Sequence, residues 1–441
     1  MINFNNNNIS EVYVGNIRMD SGYTDGSWIF PTSTPTQGDY LNFTARNGSA
    51  TIGMSGNTSP NVLYSFDKEN WTTWNYSNIT LNEDQTIWFK GYNPSGFNYD
   101  MLNRKSFIMS GTIEGDGSVQ SLLYDDDFEN NLTIPNSYCF HGLFYNCSSL
   151  TQAPQIPATA LTIHCYDSMF WACHLLTQAP TLPATTLTEG CYYNMFGGCS
   201  SLTQAPQLLA MELATKCYNL MFFKCTSLTT APQLPATEMK PFCYQAMFQD
   251  CTSLTQAPSL PSTNLHQGCY EAMFAGCTSL TQAPQLPSNA VTYDCYRMMF
   301  SGCTSLIQAP QLPATTMLDS CYRDMFANCT SLTTAPQLPA TTLASACYRE
   351  MFYGCSNLIQ APTLPATTLV VDCYRLMFYD CTNLNYIKMM ATDISAGNCL
   401  NNWVYGVQTT SGTFVKNRAA TWEVRGGSGV PIRWTIEYAD S

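Results

Sequence analysis

The stretch that decides the fold is Cys-Tyr-Arg-Glu-Met-Phe-Tyr-Gly-Cys, residues 347–355, and variants of it recur along most of the chain. Its first cysteine returns every 26 residues, at 139, 165, 191, 217, 243, 269, 295, 321, 347, 373 and 399. Its second cysteine is at 147, 173, 199, 225, 251, 277, 303, 329, 355 and 381, so the two positions account for all 21 cysteines. A strict period of this length predicts a solenoid, in which each unit buries its apolar face against its neighbours.

The spacing of apolar residues within one unit predicts a helix. In the unit that begins at Leu343, the apolar residues follow at intervals of 0, 4, 5, 8, 9 and 12, which is one stripe of a 3.6-residue helix. Residues 339–342 before it offer a helix N-cap. Residues 358–365 predict a short parallel strand, because Pro362 lacks a backbone N–H. We therefore expect an α/β leucine-rich-repeat solenoid of about ten 26-residue units over residues 130–399.

The repeat resembles a known family at this point. The Met-Phe-x-x-Cys-x-x-Leu core followed by Leu-Pro, as in residues 351–365, is similar to BspA-like leucine-rich repeats. It resembles in particular the arrays found in gut Bacteroidales and in the virions of their crAss-like phages. The resemblance implies a surface or virion protein that binds rather than catalyses. The chain departs from the pattern at Leu209, where proline is expected, and at His174-Leu175, where Thr-Ser is expected.

Composition divides the rest of the chain into three regions, so the prediction is a multi-domain protein. Residues 1–38, rich in Asn, Gly, Ser and Pro, predict an N-terminal arm and linker that orders against a partner. Residues 39–129 contain short alternating runs between turn signals and predict a β-sandwich-like domain. Residues 400–441 lose the period, and we expect a β-rich C-terminal cap over the last hydrophobic face.

Charge and cysteine spacing exclude several classes of protein. A net charge of −13 argues against nucleic-acid binding, which needs a basic face. No window approaches the ~20 apolar residues of a membrane span, and the N-terminus has no secretory signal, so we expect neither membrane insertion nor export. Cysteines eight apart on a helix lie roughly 12 Å apart, beyond the ~7 Å reach of a disulfide. We therefore expect buried free thiols, made in a reducing cytoplasm, and no metal site.

One column of the repeat is nearly constant on the strand side. It consists of glutamines with threonine in two units: Gln152, Gln178, Gln204, Thr230, Gln256, Gln282, Gln308, Thr334 and Gln360. This column is either a structural ladder of hydrogen-bonded amides, which we favour, or a repetitive surface for a repetitive ligand such as a glycan.

The helix side varies and holds the candidate binding residues. Four arginines stack in the C-terminal half: Arg297, Arg323, Arg349 and Arg375. They would repel one another unless Asp324, Glu350 and Asp372 interleave with them. A second column is aromatic: Tyr145, Trp171, Phe223, Tyr353 and Tyr379. Exposed aromatic residues and arginines are enriched in interfaces, so both columns are candidate docking patches, and a solvated mixed-charge face is the alternative.

We expect no enzyme activity and no cofactor. The sequence has no phosphate loop, metalloprotease motif or nucleophile elbow, and its four histidines are isolated and expected to be exposed. Trp71, Trp74 and Trp88 are expected to pack in the front domain, with a sugar platform as the alternative. The acidic run 125–127 is expected to be a solvated hinge, with a calcium loop as the alternative.

The predicted function is that of a phage virion structural protein, a fibre or decoration. Its N-terminal arm would attach it to other virion proteins, within a larger assembly or homo-oligomer. Its solenoid would present a surface to a host-surface protein or glycan. The alternative is a leucine-rich-repeat adhesin of the bacterial cell surface, which would require a leader for export.

Overall fold

The computed structural model describes residues 38–55, 60–102, 104–286 and 290–439, and the backbone of four short strands before them. Those strands form two antiparallel pairs: β1 (Val12–Val14) with β2 (Ile17–Met19), and β3 (Tyr23–Thr24) with β4 (Ser27–Trp28). The rest of the predicted N-terminal arm and linker lies outside the described residues.

The front region is built around one long strand, β5 (Leu41–Met54). Both of its edges are paired, and all the strands belong to one sheet in the order β11-β10-β5-β9-β6-β7, with β8 also pairing β5. The other strands are β6 (Leu63–Ser65), β7 (Thr72–Thr73), β8 (Ile79–Leu81), β9 (Thr86–Lys90), β10 (Phe107–Asp116) and β11 (Leu150–Gln152). The strand-rich prediction for this region is confirmed. The two-sheet sandwich is wrong, because these strands form a single sheet, which β11 of the solenoid also joins.

Strand β10 takes the place that a preceding coil would occupy at the start of the solenoid. It pairs in parallel with β11, and the Phe107 ring stacks on that of Phe144 at 5.4 Å. The Cys147 thiol donates a hydrogen bond to the Phe107 carbonyl oxygen at 3.1 Å. Because the sheet covers the first coil in this way, the front region and the solenoid share one hydrophobic core. The connection between them contains a short helix, α1 (Ser121–Tyr124), and a 3-10 helix (Asp125–Asn130).

The segment predicted as a helix is instead a run of consecutive turns. Two kinds of backbone hydrogen bond alternate along residues 347–355. The N–H groups at odd positions bond three residues back, as from Met351 to Tyr348 at 3.3 Å. Those at even positions bond to the next coil, as from Phe352 to Met377 at 2.9 Å. Because half of the donors point along the solenoid axis, no α-helical ladder forms here, and the helix prediction is wrong. We call this segment, and its equivalents in other coils, the turn run.

Left-handed residues recur every fourth position of the turn run. In the coil of residues 346–355 they are Ala346, Glu350 and Gly354, with φ values of 54°, 57° and 68°. In a four-residue repeat, two adjacent side chains of every four point into the core. Cys347 and Tyr348 are therefore buried, and so are Met351 and Phe352, four residues later. The apolar spacing that fits a helix therefore also fits a chain of four-residue turns.

Two aromatic stacks run through the core. Equivalent tyrosines of successive coils, from Tyr166 to Tyr374, stack with ring centroids 5.7–6.1 Å apart. Equivalent phenylalanines, from Phe144 to Phe378, stack at 5.3–5.8 Å. Each such pair is worth about 0.5–1.5 kcal/mol beyond its buried area, so the stacks fix the register between coils.

The cysteines are buried and free, as predicted. From Cys173 to Cys381, the thiol of the second cysteine in each unit donates to a phenylalanine carbonyl oxygen of the preceding coil, at 3.0–3.2 Å. Burial raises the pKa of these thiols, that of Cys199 to about 12, which keeps them protonated as donors. The second cysteines thus join neighbouring coils without disulfides.

The extended side of each coil is held mostly by single parallel bridges. Examples are Gln178 with Gln204, and Gln282 with Gln308. Among the described residues, the extended side forms regular strands at both ends of the solenoid. The first coil has β11, and near the C-terminal end a parallel sheet is formed by β12 (Gln360–Leu364), β13 (Tyr386–Met389), β14 (Thr413–Asn417) and β15 (Thr435–Ala439). The fold is therefore a β-solenoid of stacked 26-residue repeats with little helix. The number of ten units stays a prediction.

Residues after 399 continue the stack before they diverge. Tyr405 lies in register with Tyr379, and the Asp380 N–H bonds to the Tyr405 carbonyl oxygen at 2.8 Å. Asn398, Asn402 and Gly406 keep the left-handed conformation of the turn run. The expectation that the period fails after Cys399 is thus wrong for this turn run. The role of residues 400–441 as a cap stays a prediction.

Candidate functional site

The four stacked arginines are neutralised by carboxylates. Arg323 and Arg349 each pair with the next residue of their own coil, Asp324 at 3.1 Å and Glu350 at 2.9 Å. The two remaining pairs are Arg297 with Glu271 at 3.1 Å and Arg375 with Asp372 at 3.5 Å. The predicted interleaving is confirmed, with Glu271 as a fourth partner that the sequence analysis did not name. Each of these arginines thus has a carboxylate of its own that offsets its charge toward an external anion.

We call these four arginines and their carboxylates the arginine ladder. Crowding of the carboxylates raises the pKa of one of them. Burial and then the negative charge of Glu350 raise the pKa of Asp324 to about 6, and Arg323 only partly opposes them. Glu271 also has a raised pKa, because it is buried, although Arg297 lowers it. Asn219 and Gln245 extend the same ladder toward the N-terminus through bonds of 2.6 and 2.7 Å. This arrangement indicates a structural charge ladder.

The predicted aromatic column is divided into separate groups. At its N-terminal end, Tyr145 and Trp171 stack at 4.6 Å, and the guanidinium of Arg104 lies 3.7 Å from the Tyr145 ring centroid. Phe223 stands apart, with the Lys224 ammonium 4.9 Å from its ring. The structure thus brings Tyr145 and Trp171 together but not with Phe223.

The C-terminal end of the column is a stack of three tyrosines. Tyr353 and Tyr379 are 4.9 Å apart, and Tyr405 follows at 5.1 Å with half of its surface exposed. Sequence reasoning missed Tyr405 and Arg104. Tyr405 lies one period of 26 residues after Tyr379, so extending the repeat count would have found it. Arg104 is outside the repeats, and no periodic signal marks it.

The glutamine column lies on an exposed face and does not form the expected ladder. Its backbones bridge between coils, but no hydrogen bond joins the side-chain amides of these glutamines in the part of the chain that the structure describes. An exposed threonine column runs beside it: Thr177, Thr203, Thr229, Thr255, Thr281 and Thr333. The amide-ladder prediction is therefore wrong. We call these two columns the Thr–Gln face.

The Thr–Gln face is uncharged and mostly polar, with exposed Ile307 and Ile359 in place of the threonine in two coils. Parallel strands lie about 4.8 Å apart, so its amides form rows at nearly that spacing. Some threonines donate weakly to the preceding coil, as Thr203 does to the Thr177 carbonyl oxygen at 3.4 Å. The glutamine amides keep their full capacity to donate to and accept from a ligand.

The tryptophans and the acidic run of the front region have structural roles. Trp74 is buried in the front sheet, while the rings of Trp71 and Trp88 lie 4.6 Å and 5.0 Å from the ammonium groups of Lys90 and Lys68. This packing agrees with the expectation for the tryptophans.

The acidic run is anchored, because the Lys90 Nζ lies 2.9 Å from Asp125 and 2.6 Å from Asp126. Asp126 and Asp127 are exposed, so the run is solvated as expected, and its role as a hinge stays a prediction.

Two histidines flank a buried carboxylate at the start of the solenoid. The Nδ1 atoms of His141 and His164 lie 3.6 and 2.9 Å from the carboxylate oxygens of Asp167, which is 1% exposed. Burial raises the pKa of Asp167, but the nearby His141 and His164 rings and a hydrogen bond from Ser168 outweigh it and leave the pKa below its usual value. The expected exposure is wrong for His141, which is 4% exposed.

Comparison with known proteins gives one match. A family model for BspA-type leucine-rich-repeat regions matches residues 121–255, 192–307, 222–359 and 316–401. These overlapping segments run from residue 121 to residue 401, more than half of the chain. The searches of curated proteins and of solved structures found no match. Among the described residues, no helix has the length and apolar character needed to cross a bilayer.

Proposed function

The chain belongs to the family of proteins with BspA-type leucine-rich repeats, and we propose that it is a non-catalytic binding protein whose solenoid is the recognition surface. Repeats of this family point to a protein-binding or adhesin-like role. Within that role, we assign recognition to the Thr–Gln face and no ligand to the arginine ladder, whose charges pair among themselves.

The single observation that carries this assignment is the unpartnered amide column. Charged residues of the arginine ladder are paired among themselves, whereas the exposed glutamines have no bond to one another. A hydrogen bond contributes only about 0.5–1.5 kcal/mol net, so one coil alone binds weakly. A ligand with its own repeat engages several coils together and gains from multivalency. A neutral, repetitive glycan of a host surface fits such a face.

We assign the protein to a phage virion, as a fibre or decoration made in the host cytoplasm. The 21 buried free thiols support this, since they suit folding in a reducing compartment. Attachment would pass through the N-terminal residues 1–38 to other virion proteins, in a larger assembly, with no part for nucleic acid or membrane insertion. The second candidate is a bacterial surface adhesin, which the adhesin-like character of the repeats favours.

Binding of arrayed bacterial surface polysaccharides by the intact protein tests the recognition surface. The test variant replaces four exposed glutamines by alanine: Gln204, Gln256, Gln282 and Gln308. The matched control replaces three exposed threonines outside the Thr–Gln face, whose backbones also form bridges between coils: Thr316, Thr342 and Thr368. Four lost bonds of about 1 kcal/mol predict a loss of at least about a hundredfold in the test variant only. Equal binding by both variants would exclude the Thr–Gln face.

Quantitative mass spectrometry of purified phage particles and of host envelope fractions tests the location. The virion assignment predicts the protein in particles at the copy number of a vertex or tail component. Protein found only in the envelope fraction, with a shortened N-terminus, would replace the virion assignment by the adhesin.

A further inference from the structure

A cleft opens where the front sheet meets the first coil. Its volume is about 480 Å³, and its lining includes Leu102, Arg104, Phe107, Ile108, Tyr145 and Asn146. Ligand clefts in proteins measure roughly 300–1,000 Å³, so the space suffices for a side chain and part of a peptide backbone. We call it the junction cleft. It lies beside the turn run of the first coil, whereas the Thr–Gln face lies on the extended side.

The junction cleft contains a guanidinium without a carboxylate. Arg104 contacts the Tyr145 ring face at 3.7 Å, and none of the described acidic residues forms an ion pair with it. Each arginine of the solenoid ladder, by contrast, has a carboxylate within 3.5 Å. A guanidinium that lies flat on a ring still directs its N–H donors outward around its edge, in the fork that matches a carboxylate.

The aromatic support makes this guanidinium a preorganised group. Tyr145 is held between Arg104 on one face and Trp171, at 4.6 Å, on the other. Both faces of the Tyr145 ring are therefore covered, and the ring offers no stacking platform for a sugar. Its role in the cleft is to hold Arg104, so less side-chain entropy is lost when an anion binds.

Large apolar side chains stand exposed beside the cation. Leu102 is 93% exposed and Ile108 is 54% exposed, and both line the cleft. A partner that covers them gains about 25 cal/mol for each Å² of apolar surface removed from water. A free carboxylate ion would leave this apolar surface uncovered, whereas a peptide with an apolar residue next to an acidic one fits both features.

We propose that the junction cleft is a second binding site, which takes a segment of a partner protein that carries a carboxylate next to an apolar side chain. The carboxylate pairs with Arg104, and the apolar side chain packs on Leu102 and Ile108. This site goes beyond the polysaccharide-binding role of the Thr–Gln face and does not depend on it.

Selection of short linear peptides from a random displayed library on the intact protein tests the site. We expect the selected peptides to be enriched in Asp or Glu next to Leu, Ile, Met or Phe. Binding of a synthetic peptide from that pool is expected to fall about tenfold or more with Arg104→Gln, because a charge-assisted pair is lost. Arg349→Gln, which alters an arginine of the solenoid ladder, is the matched control and should bind normally.

Two further measurements separate a loss of binding from a loss of folding and from an effect on the Thr–Gln face. If Arg104→Gln lowers the thermal midpoint, the exposed substitutions Leu102→Ser and Ile108→Ser replace it, and each should weaken the peptide. Any of three outcomes would overturn the proposal. The selected peptides could lack an acidic preference, their affinity could be unchanged in all three variants, or no peptide could depend on Arg104. Polysaccharide binding by the same variants should be unaffected, which separates this outcome from that of the Thr–Gln face.

Discussion

The turn run makes a prediction about glycine that is opposite in sign to that of a helix. Ala344 and Ala346 are both half-buried and lie two residues apart in one coil, but only Ala346 has a positive φ, of 54°. Replacing each by glycine removes the same methyl group. The two substitutions therefore differ mainly in the backbone conformation that the glycine enters.

The expected change in the free energy of unfolding follows from the backbone conformation at each position. Ala344→Gly should destabilise its coil by roughly 0.5–1 kcal/mol, since glycine loses more conformational freedom on folding. Glycine has the same entropic cost at Ala346, but there it also relieves strain, because a residue with a Cβ is about 1–2 kcal/mol less stable in the left-handed region. Ala346→Gly should therefore be neutral or stabilising, and the two variants should differ by about 1–2 kcal/mol. On a helix, both would be destabilising by about 1 kcal/mol.

Hydrogen exchange read by mass spectrometry on the altered coil is the suitable assay, on residues 343–355 for the two alanine variants. A repeat array unfolds in sections, so a local opening free energy is better defined than a global one. Gly302→Ala is the reciprocal test: its φ is 74°, and an added Cβ would meet nothing closer than 3.6 Å, so only backbone strain is introduced. It should destabilise its coil by about 1 kcal/mol. Equal losses for Ala344→Gly and Ala346→Gly, together with a gain for Gly302→Ala, would refute the turn run.

Three further predictions follow from the core, the thiols and the carboxylates. Leu280→Ala should cost about 2–5 kcal/mol in chemical denaturation, whereas exposed Gln282→Ala should cost little; similar losses would contradict the assigned faces. Thiol labelling should be slow in the native protein and reach nearly 21 groups per chain after denaturation without reductant; a clearly lower count would reveal disulfides. Since the pKa of Asp324 is raised from 3.8 to about 6, its deprotonation destabilises the fold as pH rises through this range. Asp324→Asn should remove that dependence and stabilise the protein at pH 7; an unchanged pH profile of stability would contradict this.

The period and the inward positions could be predicted from the sequence, because they depend on residue types alone. Cys347, Tyr348, Met351 and Phe352 are all buried as expected. The turn run could not be separated from a helix by these positions, since intervals of 4, 5, 8, 9 and 12 satisfy both. The two structures differ in their hydrogen bonds to the next coil, and the sequence of a single coil does not reveal those bonds.

A signal for the turn run was nevertheless present in two units. Gly190, Asn194 and Gly198 occupy the three left-handed positions of one, and Asn398, Asn402 and Gly406 those of the other. Gly and Asn are the residues that tolerate this conformation best. Other units place Leu220 or Met298 there, which hides the pattern. The stacked coils evidently impose the conformation even where the local residue disfavours it.

The candidate sites were predictable to the extent that they follow the period. The pairing of Arg323 with Asp324 could be expected from their column positions. The free amides of the Gln282 column could not, because register alone does not decide whether neighbouring amides bond to each other or to solvent. Arg104 comes from the front sheet, and its approach to Tyr145 depends on how that sheet covers the first coil.

The most direct test of the central claim is a hydrogen-exchange footprint of the intact protein on a bound surface polysaccharide. If the Thr–Gln face is the recognition surface, exchange should slow in the backbone amides around Gln204, Gln256 and Gln308 and should not change along the turn runs of the same coils. Protection confined to the turn runs, or to the tyrosine stack at Tyr353 and Tyr379, would contradict the claim that the Thr–Gln face is the recognition surface.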